Sequence, residues 1–253
     1  MNEYLERINV RRGDAAPDLQ TLRSLQRQHL LNVPFENLDI HWKRPIVLDT
    51  KAIYSKIVSE RRGGFCYELN ALFNELLQVL GFQTYLVSAR VFGDENGFGP
   101  EFEHAAIIVN IGDDEYLADV GFGDFTTEPL RVTFDLMQID PAGTFVIRRY
   151  DDDYLEVAKH VGDEWKSQYI FSTRARELSE FIEMCDFQQY SPDSHFTHGK
   201  ICSILTEDGR KTLTDKRLII SSSGTRHELE VDAEENFNEL LMSEFNIAGP
   251  VVG

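Results

Sequence analysis

The sequence predicts an α+β fold in which helices come first and antiparallel strands follow. Leucine side chains recur at three- and four-residue intervals over residues 19–29 and again over 66–80, which places them on one face of a helix. After Gly81 the period changes, and short, evenly spaced runs of β-branched and aromatic residues indicate a small barrel or a curled antiparallel sheet. The final part combines short strands with an amphipathic helix over 233–245.

Two helices of the N-terminal part have recognisable ends. Asp18 is suited to cap the first helix, because its carboxylate can accept a hydrogen bond from a free backbone N–H group. That helix should end near Val33, since the residue before a proline is pushed out of the helical region. The second helix begins at about Cys66 and ends at about Leu80, where Gly81 has the position of a C-terminal glycine cap.

Further strands and one more helix are expected after Gly81. The segment 93–100, which holds three glycines and a proline, is predicted to be an exposed loop, and 174–187 is predicted to be helical. The predicted strands are 84–92, 104–111, 116–120, 130–134, 144–150, 154–161, 165–171, 199–205 and 217–221.

The composition argues against several classes of function. Of 253 residues, 42% are apolar and 27% are charged, as in an ordinary globular protein, and the formal net charge is −18. Such a surface disfavours nucleic acid and anionic membranes as partners, since both need a cationic surface. Three cysteines are too few for a disulfide scaffold, and the N-terminus lacks the apolar segment of a signal peptide. We therefore expect a cytoplasmic protein that binds neither nucleic acid nor membranes.

Cys66 is the strongest candidate for a nucleophile. It follows Gly63 and Gly64, which allow a sharp turn and the close approach of another group, and it falls in the first turn of the predicted helix. A thiol there faces the positive end of the helix dipole and unpaired N–H groups, both of which favour the thiolate. The same N–H groups could stabilise an oxyanion.

A predicted hairpin supplies a base and a residue to orient it. If the turn is centred on Gly112 and Asp113, Asp119 lies opposite Ala106, and His104 falls on the same face one diagonal away. Diagonal neighbours of this kind lie about 7–8 Å apart at the backbone, which is within reach of a histidine–carboxylate hydrogen bond. Together with Cys66, these residues form a candidate catalytic triad.

Other histidines lack a comparable setting. His195 and His198 are three residues apart, but no carboxylate or cysteine completes a metal site at a recognised spacing. We therefore predict no metal.

Four motifs of the sequence resemble those of the arylamine N-acetyltransferase family. The nucleophile motif is similar to RGGFCYELN at 62–70, which has Cys66 in the nucleophile position. His104 matches the family's histidine, and Asp119 matches its aspartate. The motifs are RGGFCYELN at 62–70, ADVGFG at 118–123, HLLNVPFENL at 29–38 and SPDSHF at 191–196.

The resemblance implies a three-part fold with a Cys-His-Asp core like that of cysteine proteases. Its parts would be a helical bundle over 1–82, an antiparallel β-barrel over 83–187 and an α/β lid over 188–253. It also implies that acetyl-CoA is the acetyl donor and that an arylamine or arylhydrazine is the acceptor, as in xenobiotic metabolism. Family similarity places Phe35 and Phe125 at the acceptor pocket. It places Gly121, Gly123 and Phe196 at the coenzyme A cleft, with no permanently bound cofactor.

Two alternatives remain open from the sequence. Transglutaminase-like and papain-like hydrolases share the chain order Cys…His…Asp and use the same three roles on peptides. An amide synthase of the same superfamily would instead join a polyketide acyl chain to an aromatic amine.

Overall fold

A computed structural model describes residues 1–11, 16–93 and 97–250. Its N-terminal part is helical, apart from the short strand β1 (Phe35–Glu36). The helices are α1 (Asn2–Arg7), α2 (Leu19–Asn32), α3 (Leu38–His41), α4 (Thr50–Tyr54), which a π-helical turn over Ser55–Ser59 continues, and α5 (Cys66–Val79).

The ends of α2 and α5 confirm the capping predictions. The Asp18 carboxylate accepts a hydrogen bond from Thr21 N at 2.8 Å, and α2 ends at Asn32, just before Val33 and Pro34. Helix α5 ends where Gly81 adopts a φ of +94°, a conformation that side chains rarely allow.

The central part is a nearly closed antiparallel barrel. Its strands follow the spatial order β6-β5-β4-β2-β10-β9-β8-β7, with β3 paired to β2. A bridge between Phe134 and Ile147 joins the segment after β6 to β8 and brings the two ends of the sheet together. The strands are β2 (Gln83–Gly93), β3 (Gly97–Phe98), β4 (His104–Ile111), β5 (Asp114–Ala118), β6 (Leu130–Arg131), β7 (Gln138–Asp140), β8 (Gly143–Arg149), β9 (Leu155–Val161) and β10 (Glu164–Phe171).

The third part is a smaller sheet covered by a helix. Its strand order is β1-β11-β12-β13-β14, so β1 of the helical part forms one edge. Phe237, Leu241 and Phe245 of the last helix pack with Cys202 and Leu213 in a separate apolar core. The elements are α6 (Ile182–Tyr190), β11 (Ile201–Thr206), β12 (Gly209–Thr214), β13 (Arg217–Ser222), β14 (Thr225–Glu230) and α7 (Glu234–Phe245).

Several local expectations need correction. The predicted strand 130–134 is β6 and ends at Arg131. The predicted strand 116–120 is β5 and ends at Ala118. In the predicted loop 93–100, residue 98 pairs with β2, and 94–96 lie outside the described residues. The predicted helix 174–187 starts later, because Arg176 bridges to Leu86 of the barrel; a 3₁₀ turn over Leu178–Phe181 then leads into α6. Strands β7, β12 and β14 were not predicted: β7 has only three residues, and the polar residues of β12 and β14 hide the apolar alternation that identifies a strand.

The packing of α5 against the barrel positions the site. Leu69, Phe73 and Leu76 of α5 share one buried cluster with Ala105 and Ile107 of β4. The start of α5 and the start of β4 therefore meet where the helical part adjoins the barrel. The predicted boundary after residue 82 falls just before β2, whereas the one after 187 falls inside α6. Over the described ranges, no helix is long and apolar enough to cross a membrane.

Candidate active site

Close backbone packing fixes the position of Cys66 at the first residue of α5. Gly64 N donates to Pro34 O at 3.2 Å, and Glu36 N donates to Gly64 O at 2.9 Å. A Cβ on Gly63 would lie 2.2 Å from Pro34 O, so glycine is required for this approach. The thiol itself is buried, with a relative exposure of 4%.

A buried network of charges holds the segment before Cys66. Arg62 Nη2 lies 2.6 Å from Glu36 Oε1 and 2.9 Å from Asp39 Oδ1. Lys56 Nζ lies 2.7 Å from both Asp39 Oδ2 and Glu68 Oε2. The Glu68 carboxylate also accepts the backbone N–H of Phe65 at 2.8 Å, which caps the start of α5. These paired charges fix the direction from which the chain enters the helix.

The hairpin of β4 and β5 brings His104 to Asp119. Ile111 pairs with Asp114 and Ile107 pairs with Ala118, which is the register expected for a turn at Gly112 and Asp113. His104 Nε2 donates to Asp119 Oδ2 at 2.7 Å, and both side chains are buried. This bond leaves the other ring nitrogen, Nδ1, available to a thiol. The structure thus shows the histidine–carboxylate pair that the hairpin geometry predicts.

Three further groups hold the Asp119 carboxylate. Oδ1 accepts Asn70 Nδ2 at 3.0 Å and the backbone N–H of Gly121 at 2.9 Å. Oδ2 accepts the Tyr169 hydroxyl at 3.2 Å in addition to His104. Sequence reasoning assigned no role to Asn70 or Tyr169. Asn70 could have been found, because it lies one helical turn after Cys66 and so on the same face of α5; Tyr169 carries no such local signal.

Cys66 and His104 line a common cavity of about 330 Å³. The structure places all but two of the predicted site residues in its wall, the exceptions being Asp119, which lies behind His104, and Phe125. The predicted residues that line it are Phe35, Cys66, His104, Gly121, Gly123 and Phe196. Further lining residues are Val91, Glu103, Phe122, Asp124, His195, Ile201, Ser203, Arg210 and Thr212.

Phe125 is buried beneath this cavity. Its ring packs 5.2 Å from Phe122 and 5.4 Å from Phe145, inside the core of the barrel. Phe125 lines a neighbouring cavity of about 460 Å³ instead. It supports Phe122, whose ring lies 5.2 Å from the His104 ring in the wall of the first cavity.

Gly121 allows the segment after Asp119 to contact α5. A Cβ at this position would lie 2.9 Å from both Cys66 Cα and Cys66 O, and 2.7 Å from Asn70 Nδ2. Any larger residue would push the segment away from Cys66. Gly123 has a φ of +97° with open space around it, so its glycine serves the turn itself.

The protonation of Cys66 depends on two opposing influences. Burial raises the pKa of the thiol well above its ordinary value, and the nearby Cys185 and Asp119 act in the same direction. Backbone hydrogen bonds with Tyr67 and Ala105 oppose this rise. The helix start alone therefore does not produce the thiolate that the sequence suggested. A thiolate at Cys66 requires transfer of the proton to a base in the same cavity.

Within the ranges that the structure describes, no group of three or more His, Cys, Asp or Glu side chains is placed to hold a metal ion.

The fold and the cysteine-bearing cleft define the class of protein. A family model described as N-acetyltransferase matches residues 18–249. The chain belongs to the arylamine N-acetyltransferase family. An arylamine N-acetyltransferase of Escherichia coli is 35% identical over 217 residues, which cover 85% of this chain and 76% of that protein.

Solved structures of the family share the complete fold. The arylamine N-acetyltransferase from Salmonella typhimurium has a TM-score of 0.93 at 28% identity, covering 99% of this chain and 92% of that one. The Mycobacterium marinum enzyme in complex with CoA has a TM-score of 0.89 at 30% identity, covering 97% of this chain and 92% of that one. These likenesses confirm the three-part α+β fold that the sequence motifs implied.

Proposed function

We propose that this protein transfers the acetyl group of acetyl-CoA to the nitrogen of arylamines or arylhydrazines through an acetyl-Cys66 intermediate. The observation that carries the proposal is the cavity in which a helix-start cysteine meets His104, itself held by Asp119 at 2.7 Å. Nucleophile, base and orienting carboxylate are the three parts that acyl transfer requires. Membership of the family supplies the donor and the class of acceptor.

In the first step, His104 takes the thiol proton and the Cys66 thiolate attacks the carbonyl carbon of the thioester. Backbone N–H groups in the first turn of α5 face the oxygen that becomes negative. The bond from the carbonyl carbon to the coenzyme sulfur then breaks, and His104 returns the proton to that sulfur. Asp119 keeps the imidazole in one orientation throughout and stabilises its charged form.

In the second step, the neutral aromatic amine attacks the acetyl carbon of acetyl-Cys66. His104 removes the proton from the amine nitrogen, and the Cys66 sulfur leaves. Anilines suit this step, because they are unprotonated at neutral pH. Phe35 and Phe196, whose ring centroids lie 6.3 Å apart, offer an apolar wall to an aromatic ring.

For the donor, we propose contacts with Gly121, Gly123 and Phe196. The Mycobacterium marinum relative forms a complex with CoA, and these three residues line the cavity that holds Cys66. Phe125, proposed for the acceptor pocket, packs against Phe122 of the cavity wall and lines the neighbouring cavity. We also infer a cytoplasmic location, in keeping with three buried cysteines that form no disulfide.

Mixing the protein with excess acetyl-CoA in the absence of amine tests the proposal. We expect a burst of free coenzyme A of about one equivalent per active site, followed by slow hydrolysis. Intact mass spectrometry should show one added acetyl group, and peptide mapping should place it on Cys66. Adding an arylamine should discharge it, and initial rates should give the parallel lines of a ping-pong scheme.

Two variants serve as controls. Cys66→Ser should give no burst, whereas Cys202→Ser, which changes a buried cysteine in the core under α7, should retain it. Absence of both burst and adduct would overturn the proposal. Cleavage or cross-linking of a peptide amide would then support the hydrolase alternative, and acylation by a longer thioester alone would support the amide synthase.

A further inference from the structure

Glu103 places a carboxylate in the wall of the active-site cavity, immediately before His104. Its Oε2 accepts the backbone N–H of Val91 at 3.1 Å. Gly99 makes room for it, because a Cβ on Gly99 would lie only 2.0 Å from that oxygen. The carboxylate is therefore held against the wall by a backbone donor and a glycine, and it does not swing freely into solvent.

Arg90 acts on this carboxylate through space, without an ion pair. The guanidinium of Arg90, the nearest basic side chain on β2, donates to Gly99 O at 2.6 Å and stacks over the Tyr154 ring. Among the described residues, no Lys or Arg forms an ion pair with Glu103. Burial raises the pKa of Glu103, while the hydrogen bond from Val91 N and the charges of His104 and Arg90 oppose the rise.

The other charged groups that the described residues place in the cavity wall are one cation and one carboxylate, Arg210 and Asp124. The Arg210 guanidinium keeps its positive charge, since it donates to two neutral acceptors, Gly123 O at 2.6 Å and Ser203 Oγ at 3.1 Å. Asp124 Oδ1 lies 3.6 Å from Lys159 Nζ, so this carboxylate has a counter-charge. Burial, with a smaller contribution from His198, lowers the pKa of His195, which favours its neutral ring. A ligand that approaches Cys66 therefore meets one carboxylate without an ion-pair partner in the described part of the chain, that of Glu103, in a wall that also holds a cation and aromatic rings.

We propose that Glu103 selects acceptors by charge, disfavouring aromatic amines that carry a carboxylate and favouring those that carry a second, cationic amine. The inference rests on the proposed function, because it concerns the amine that discharges acetyl-Cys66. Its basis is electrostatic: a fixed charge in a partly desolvated cavity acts on a ligand charge more strongly than it would in water.

The test measures the second step alone. Acetyl-Cys66 is formed with p-nitrophenyl acetate, which carries no phosphate, and is freed of excess donor by rapid desalting. It is then mixed with 4-aminobenzoate, 4-aminobenzamide or 4-aminobenzylamine, and the loss of the acetyl group is followed by mass spectrometry. The neutral amide is the reference within each variant, so that differences in folding or in the fraction of active protein cancel.

In Glu103→Gln, the rate for 4-aminobenzoate relative to the amide should rise by about three- to tenfold. The relative rate for 4-aminobenzylamine should fall by a similar factor. Glu103→Asp, which keeps the charge, should retain the preference of the unsubstituted protein. Glu239→Gln removes one exposed charge on α7, outside the cavity lining, and should move neither ratio.

A shift of opposite sign for the two charged acceptors is the signature of charge selection, since a merely structural effect would move both together. Ratios that stay constant in Glu103→Gln, or that move in the same direction, would overturn the inference while leaving acetyl transfer intact. Failure to form acetyl-Cys66 at all would instead overturn the proposed function. If Glu103→Gln does not fold, the salt dependence of the unsubstituted protein decides: added salt should relieve the discrimination against 4-aminobenzoate, and a constant ratio contradicts it.

Discussion

Asn70 links α5 to the carboxylate that holds His104, through the 3.0 Å hydrogen bond from its Nδ2 to Asp119 Oδ1. The same nitrogen donates to Ala105 O at 2.6 Å, and the amide oxygen accepts Val120 N at 3.0 Å. One fully buried side chain therefore contacts β4 and the segment that follows β5. Because Asn70 lies one turn after Cys66, it also sets the distance between α5 and the histidine–aspartate pair.

Asn70→Asp should impair acylation without changing the fold class. The substitution replaces two donated hydrogen bonds with a second buried carboxylate beside Asp119, and like charges there raise the pKa of one carboxylate. We expect the burst rate with acetyl-CoA to fall by about 10²-fold or more. Stopped-flow measurement of coenzyme A release checks this.

Asn74→Ala is the matched control for this prediction. Asn74 lies one turn further along α5, and its side chain accepts a hydrogen bond from Thr84 Oγ1 at 2.7 Å, away from the triad. Asn74→Ala should lower the stability of the protein but leave the burst rate unchanged. A normal burst in folded Asn70→Asp would show that Asn70 does not position Asp119.

Asp119→Asn should slow acylation by about 10⁴-fold, the effect of the corresponding change in serine proteases. An amide in this place favours the wrong tautomer of His104, although Tyr169 and Gly121 can still bond to it. Single-turnover acylation measures the effect. Asp140→Asn provides a comparison, since Asp140 is another buried carboxylate of the barrel that accepts the backbone N–H groups of Thr127 and Ala142. A folded Asp119→Asn with near-normal acylation would contradict the proposed role.

The parts of the site predicted from the sequence are those encoded locally. The leucine stripe and Gly81 define α5, and the alternation of β4 and β5 around Gly112 defines the face shared by His104 and Asp119. Tyr169 could not be found in this way, because it reaches Asp119 from β10, fifty residues further along the chain. Strand β12 escaped prediction for a different reason: Leu213 is its one apolar side chain, so the strand shows no alternation of apolar and polar residues.

The position of Phe125 depends on packing that a motif does not describe. Phe35 and Phe125 are both aromatic residues next to recognisable motifs, but Phe35 lines the cavity that holds Cys66, whereas Phe125 lines the neighbouring one. The backbone after Gly123 turns Phe125 into the barrel core, where it packs against Tyr169 and Phe145. Which side of a loop faces a cavity depends on the packing of distant strands, and a motif does not contain that information.

Alkylation should show that the reactivity of Cys66 depends on His104. Since burial raises the pKa of the thiol, the thiolate forms only by giving its proton to the imidazole. In the unsubstituted protein we expect iodoacetamide to modify Cys66 faster than Cys185 or Cys202 at a pH of about 6, well below the ordinary thiol pKa of about 8.5. In His104→Gln this fast reaction should disappear. Mapped labelling over a range of pH measures both, and equal rates at all three cysteines in the unsubstituted protein would contradict the claim.

Lys56→Met should destabilise the protein strongly. Lys56 pairs with Asp39 and Glu68 at 2.7 Å, and these carboxylates are buried. Removing the Lys56 ammonium takes a counter-charge away from both buried carboxylates, which typically costs about 3–5 kcal/mol of stability. Urea unfolding at pH 7 measures the loss. Lys51→Met, an exposed position on α4, should change the free energy of unfolding by about 0.5 kcal/mol or less. A similar small change in Lys56→Met would show that the network adds nothing to stability.

The protein should become less stable as the pH falls, because His29 resists protonation in the folded state. This residue is fully buried, accepts the Tyr4 hydroxyl at Nδ1 over 2.7 Å and packs against Phe73. Burial, with a smaller contribution from Arg7, lowers its pKa to about 3. In the unfolded chain the pKa is about 6.5. Stability from the neutral ring is therefore complete above about pH 6.5 and is lost as the pH falls towards 3, because the unfolded state then binds a proton that the folded state does not.

Comparison with His29→Gln isolates this contribution. Between about pH 6 and pH 4, the free energy of unfolding of the unsubstituted protein should fall more steeply than that of the variant, by about 1.4 kcal/mol per pH unit. Urea titrations at several pH values give both curves, and His227→Gln, which changes an exposed histidine of β14, controls for the loss of one ionisable group. Curves for the unsubstituted protein and His29→Gln that stay parallel over this range would mean that the folded protein protonates His29 as readily as the unfolded chain does. The buried Tyr4–His29 pair would then open at mildly acidic pH, before the rest of the helical part unfolds.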